Sequence, residues 1–137
     1  RGLDYVIAVE GALKSKEISY IHSEAFASGE LKHGTIALIT DGVPVVVNAT
    51  QSDLFEKSVS NIKEVTSRGA YVIAVAKEGN TVVEEVADEV FYIPNVEDDY
   101  AGFPTIVIHQ LLAYYLSKLK GNDVDKPRNL AKSVTVE

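Results

Sequence analysis

Apolar residues recur along the first part of the chain at three- and four-residue steps: Tyr5, Val6, Val9, Leu13, Ile18, Ile21 and Ala25 alternate with Ala, Glu and Lys, and no Pro interrupts them. That period predicts one long amphipathic helix from Asp4 to about Ala27, with Asp4 as N-cap and Gly29 as terminator. A polar stretch, Ser28 to Lys32, then leads into a loop carrying His33 and Gly34. At Asp41-Gly42 the pattern turns, and Pro44-Val-Val-Val-Asn48 reads as a buried strand. Helical spacing returns from Ser52 to Arg68 through Leu54, Phe55, Val59, Ile62 and Val65, and Gly69 closes it. Tyr71 to Ala76 is apolar on both faces, as in a central parallel strand. Beyond the turn at Glu78-Gly79-Asn80, Val82 to Val86 fits one or two helical turns, and Glu89 to Ile93 is a third strand stopped by Pro94. Ile106 to Lys120 is apolar nearly all round behind a first-turn Pro104, so this helix is buried or lies at an interface. Asn122 to Glu137 has no period and reads as a tail.

Strands alternating with helices give an α/β fold with a mainly parallel sheet covered on both faces. Three strands are few for two-sided cover, and a helix follows Arg1-Gly2 at once, so the expectation is a truncated first strand that precedes Arg1 in a longer protein. No fixed-period repeat or low-complexity segment is evident.

Composition narrows the chemistry. The 137 residues carry a net charge of -7, which argues against a basic nucleic-acid groove. No apolar run approaches the length of about 20 residues that a membrane-spanning helix needs. With no Cys, catalysis has to use carboxylates, amines or imidazoles, and a reducing compartment suits the chain. No GxGxxG, P-loop, HExxH or GxSxG pattern is present.

Glu10, Lys14, Glu17, Ile21 and Glu24 fall on one stripe of the first predicted helix. The plain reading is a solvated face with weak ion pairs. The sharper one makes Glu17 a proton shuttle, since a carboxylate in a cleft is tuned upward by desolvation and downward by an ammonium such as Lys14. His33 sits in a connection, where function concentrates, or is a surface histidine without a task. His22 and His109 fall in helical patterns and read as packed or solvated. Spacing of the three His gives no zinc site, so no metal is expected. Glu97-Asp98-Asp99 more simply supplies negative charge ahead of a helix N-terminus. Lys132 in the tail is inert unless the tail docks, in which case a desolvated lysine can form an imine with a carbonyl.

Three stretches carry a resemblance. Glu10-Gly-Ala-Leu-Lys-Ser-Lys-Glu-Ile-Ser-Tyr-Ile-His22, Gly29-Glu-Leu-Lys-His-Gly34 and Asp125-Lys-Pro-Arg-Asn-Leu-Ala-Lys-Ser-Val-Thr-Val-Glu137 resemble the C-terminal end of the glutamine–fructose-6-phosphate aminotransferase (isomerizing), or glucosamine-6-phosphate synthase, family. The likeness spans the whole chain, and the terminal Ser-Val-Thr-Val-Glu is its most specific part; the first two stretches alone point only to the wider sugar isomerase (SIS) superfamily. The resemblance implies a three-layer α/β/α SIS domain, the second of two, over residues 1–121, with a tail at 122–137 that completes the active site. It implies conversion of fructose 6-phosphate and glutamine to glucosamine 6-phosphate and glutamate in the cytoplasm, with no cofactor. Glu17 would move a proton between C1 and C2, with Lys14 in the same site. His33 would assist ring opening across a homodimer interface, and Lys132 would form the imine. Partners would be the sugar phosphate and the preceding SIS and glutaminase domains; the latter needs a cysteine this chain lacks, so the chain alone is expected to be inactive. Ser15 stands where leucine is common, Thr35 where proline is usual and Ser28 where alanine is. The alternatives are a stand-alone SIS phosphosugar isomerase and a non-catalytic sugar-phosphate-binding regulator.

Overall fold

The computed structural model describes residues 1–128. Three strands, β1 (Pro44–Ala49), β2 (Tyr71–Lys77) and β3 (Glu89–Ile93), form a wholly parallel sheet in that order, with Val47 opposite Ala74 and Val75 opposite Phe91. All three follow from β-branched runs bounded by turn residues, and their observed limits lie within a residue of the predicted ones. Side chains alternate between the faces of a strand. Val72, Ala74 and Ala76 therefore meet Val59, Ile62 and Val65 of helix α2 (Phe55–Thr66) on one side. On the other side Val75 and Ile93 pack with Ala101, Val46 and Ile108, the last from helix α3 (Gly102–Leu119). Helix α1 (Gly2–Lys14) packs against both β1 and α3, which completes the three layers. The expected α/β/α architecture is present.

The first helix departs from expectation at both ends. Arg1 precedes it as cap, and Asp4 lies inside the helix, buried. The Asp4 carboxylate serves another element: it accepts from Thr50 N at 3.1 Å and Thr50 Oγ1 at 2.5 Å, just past the end of β1. A helix N-cap is a local pattern, and here a tertiary pair of donors outcompetes it. At the other end the α-helix stops at Lys14, not near Ala27; a π-helical turn covers Ser15–Ser19, and 20–27 is irregular. Gly29 consequently terminates nothing and lies within a 3-10 turn, Ser28–His33.

The acidic run Glu97-Asp98-Asp99 does precede α3, and the Asp98 carboxylate also reaches back to the chain entering α2, accepting from Ser52 N and Ser52 Oγ, both at 2.8 Å. It also pairs with Lys77, whose side chain is buried at the end of β2. Lys77 first and Ser52 next hold the Asp98 carboxyl below its usual pKa. Burial in the sheet requires a counter-ion for Lys77, and the β3–α3 connection supplies it.

A buried polar relay joins the layers. His109 Nε2 meets Asn48 Oδ1 at 2.9 Å, and Asn48 Nδ2 donates to the Asp4 carbonyl at 3.0 Å. The second bond orients the amide, so Asn48 Oδ1 is the acceptor and the imidazole carries its proton on Nε2. Burial holds His109 below the ordinary imidazole pKa. The unfolded chain therefore takes up a proton at a pH where the folded protein does not. Above about pH 6.5 this costs no stability; below it, stability falls by up to about 1.4 kcal/mol per pH unit until the folded ring is itself protonated. Urea denaturation between pH 7.5 and 5 should show this loss in the wild type and a flatter profile in His109→Asn; parallel profiles would refute it.

Helix α3 is only half covered. Phe103, Val107, Leu111, Tyr115 and Leu119, at four-residue steps, are exposed, Phe103 to 71% and Leu119 to 86%. Of the two expectations for this helix, burial is thus met on one face only. Among the described residues no helix is long and apolar enough to cross a membrane.

Candidate active site

The stripe read from the sequence is real as far as Glu17. Lys14 Nζ lies 2.9 Å from Glu17 Oε2 and 3.2 Å from Glu10 Oε1, so one ammonium bridges two carboxylates three and four residues away. Hydrogen bonds to Glu17 first and to Glu10 second hold Lys14 above the ordinary lysine pKa, with burial opposing them. It is a fixed cation. All three side chains remain part-exposed, between 27% and 42%, so water and a ligand can reach them. Ile21 and Glu24 lie beyond the helix, and Glu24 pairs with His22 at 3.6 Å on the surface.

Glu17 sits in the π-helical turn, a widened form that recurs at functional sites. Such a turn frees backbone carbonyls, and α3 and the residues after it satisfy them. Ser117 Oγ donates to the Ile18 carbonyl at 2.7 Å and Lys120 Nζ to the Ser19 carbonyl at 2.6 Å. Asn122 Nδ2 reaches the Ile18 carbonyl at 3.4 Å, and Ser19 Oγ bonds back to the Ser15 carbonyl at 2.6 Å. These four groups satisfy the carbonyls at the end of the helix. The serine hydroxyl bonding four residues back is a known means of bending a helix, and it was the one signal available in the sequence. Ser117, Lys120 and Asn122 gave none, because their partners lie about a hundred positions away.

His33 ends its own 3-10 turn, 67% exposed, with Nε2 4.0 Å from Glu30 of the same turn. It is not brought to Lys14 or Glu17 by any described contact. Lys132 lies outside the described residues. A cavity of about 510 Å³ lies between α1, the 22–39 segment and β1, lined by Asp4, Gly11, Phe26, Asn48 and His109 among others. Lys14, Glu17 and His33 do not line it, so the cavity and the charged triad are separate features.

A part-exposed carboxylate held by an adjacent cation on a braced turn can take a proton from a carbon acid and return it, provided another surface closes over the reacting atoms.

Comparison with known proteins agrees with the fold. The SIS domain model matches residues 1–119. The chain is 62% identical to glutamine–fructose-6-phosphate aminotransferase [isomerizing] of Caldanaerobacter subterraneus subsp. tengcongensis and 64% identical to that of Clostridium acetobutylicum. Each alignment covers 100% of this chain and 22% of the relative, so the chain spans about a fifth of the length of these proteins. Among solved structures, the C-terminal domain of glucosamine-fructose-6-phosphate aminotransferase from Francisella tularensis superposes with a TM-score of 0.83 at 43% identity, covering 90% of this chain and 35% of that one. Glucosamine-6-phosphate deaminase from Thermotoga maritima gives 0.73 at 31% identity, covering 95% and 37%. With a parallel three-stranded sheet between helical layers and a family match over residues 1–119, the chain belongs to the SIS domain family.

Proposed function

We propose that this chain is the second SIS subdomain, residues 1–121 with a tail at 122–137, of a cytoplasmic glutamine–fructose-6-phosphate aminotransferase (isomerizing). In this reading Glu17 carries the proton between C1 and C2 of the open-chain sugar phosphate. Lys14 orients the Glu17 carboxylate and keeps a positive charge beside the carbon from which the proton is taken. Lys132 forms the imine with the ketose, and His33, donated by the second copy of a homodimer, assists ring opening. The observation that carries the reading is the Lys14–Glu17 pair at 2.9 Å on a turn braced from α3. A shuttle that serves two adjacent carbons must be held still while the sugar's electrons shift, and the brace does that. The exposed stripe of α3 and the edge of β1, unpaired among the described residues, fit the remainder of a longer protein, the latter accepting one more parallel strand.

The test is isotope exchange. Full-length protein in deuterium oxide should place deuterium at C1 and C2 of the hexose phosphate, and the isolated 137-residue chain should place none. Absence of exchange with the full-length protein would overturn the reading. Stand-alone phosphosugar isomerases and sugar-phosphate regulators remain the competing classes; exchange by the isolated chain would favour the first.

A further inference from the structure

Tyr20, the residue that follows the Glu17 turn, is held in the left-handed region at φ 58°, and it is the one non-glycine residue with positive φ among those described. That conformation costs about 1–2 kcal/mol for an L-residue and persists where surrounding contacts impose it. Two contacts to the Tyr20 side chain come from a residue 108 positions away. The Arg128 guanidinium lies 4.0 Å from the centre of the Tyr20 ring, and the Arg128 backbone N–H donates to the Tyr20 hydroxyl at 2.9 Å. Both halves of one residue thus grip both ends of one side chain. The same region of the molecule already receives Ser117 and Lys120, so the strained end of the Glu17 turn and the root of the tail are one structural unit.

We propose that Tyr20 and Arg128 form a clasp that anchors the tail beside the Glu17 turn, making both of them positioning residues for the chemistry of Lys132. The inference rests on the reading that Lys132 forms the imine. Lys132 is four residues beyond Arg128, and four residues of chain reach at most about 14 Å from the anchor. Fixing Arg128 therefore limits the main chain at position 132 to that radius around the Tyr20 end of the Glu17 turn. A free tail would leave the amine a much larger volume to search, with a lower effective concentration.

The test uses the full-length protein and borohydride trapping of fructose 6-phosphate, with Lys132→Ala as the unlabelled control. Arg128→Ala should trap at a rate about two- to fivefold lower, as expected from loss of an exposed cation–π contact. Arg128→Lys, which keeps a cation over the ring, should recover part of the rate, and Tyr20→Phe, which loses only the hydroxyl acceptor, should fall less. Trypsin supplies a readout independent of catalysis: it cuts after Arg128, while the Lys126-Pro127 bond resists it. Tyr20→Leu should be cut there about tenfold faster than wild type, once the clasp no longer shields the arginine. Equal trapping by wild type and Arg128→Ala, or equal cleavage of wild type and Tyr20→Leu, would overturn the proposal. Wild-type protein that takes no label at Lys132 sinks the imine reading instead, and the clasp is then judged on cleavage alone.

Discussion

Replacing Glu17 by Gln in the full-length protein should lower isotope exchange at the sugar by about 10²–10⁴-fold, the usual contribution of a positioned general base. Gln keeps the size of the side chain and can still accept a hydrogen bond from Lys14, so the turn from Ser15 to Ser19 should hold its shape. What is lost is the ability to take up a proton. Glutamine hydrolysis belongs to another domain in this reading and should stay within about twofold, since an isosteric change leaves the fold's packing intact. Exchange at the wild-type rate would remove Glu17 from the mechanism. A parallel fall in glutamine hydrolysis would show a structural defect instead.

The second large effect is on stability. Gly11 faces α3, and a Cβ built there overlaps His109 Nδ1 and lies 2.6 Å from Cγ and 3.1 Å from Cβ of the same ring. The ring is buried and its Nε2 is held by Asn48, so moving it aside costs that hydrogen bond. Gly11→Val should therefore push α1 away from α3 or break the His109–Asn48 bond. Overpacking and a lost buried hydrogen bond together cost about 2–4 kcal/mol, read from urea denaturation. Gly102 plays the matching part nearby, where a Cβ would meet Ile7 at 3.3 Å. In a double-mutant cycle with His109→Ala, which removes the obstructing ring, the two changes should couple by 1 kcal/mol or more, whereas additive losses would mean the clash is not the cause. Since α1 carries Lys14, isotope exchange should fall alongside stability in Gly11→Val.

The strands and α2 were legible because their signals are local. Val45, Val46 and Val47 alternate between two covered faces, and Val59, Ile62 and Val65 repeat at the helical period, whatever the rest of the chain does. The end of α1 was misread for the opposite reason. Ile21 and Ala25 continue the helical spacing, yet the chain leaves the helix at Tyr20, where carbonyls freed in the π-turn find partners on Ser117 of α3 and Lys120 just after it. Asp4 shows the same override: it reads as a cap for its own helix and instead satisfies a backbone N–H 46 positions away, as Asp98 also does at Ser52.

The candidate site divides along the same line. Spacing in the sequence placed Lys14 and Glu17 within reach of each other, since residues three apart on a helix share a face. Their role came from resemblance, as periodicity cannot tell a proton shuttle from a solvated ion pair. By itself the sequence determined the α/β class, the three strands and the charged triad, all of which depend on neighbours within a few residues. Only the tertiary structure decided where α1 ends, which donors brace the Glu17 turn and that Arg128 closes over Tyr20. Those pairings join residues up to 108 positions apart, and their strength depends on burial and geometry that exist only once the layers have packed.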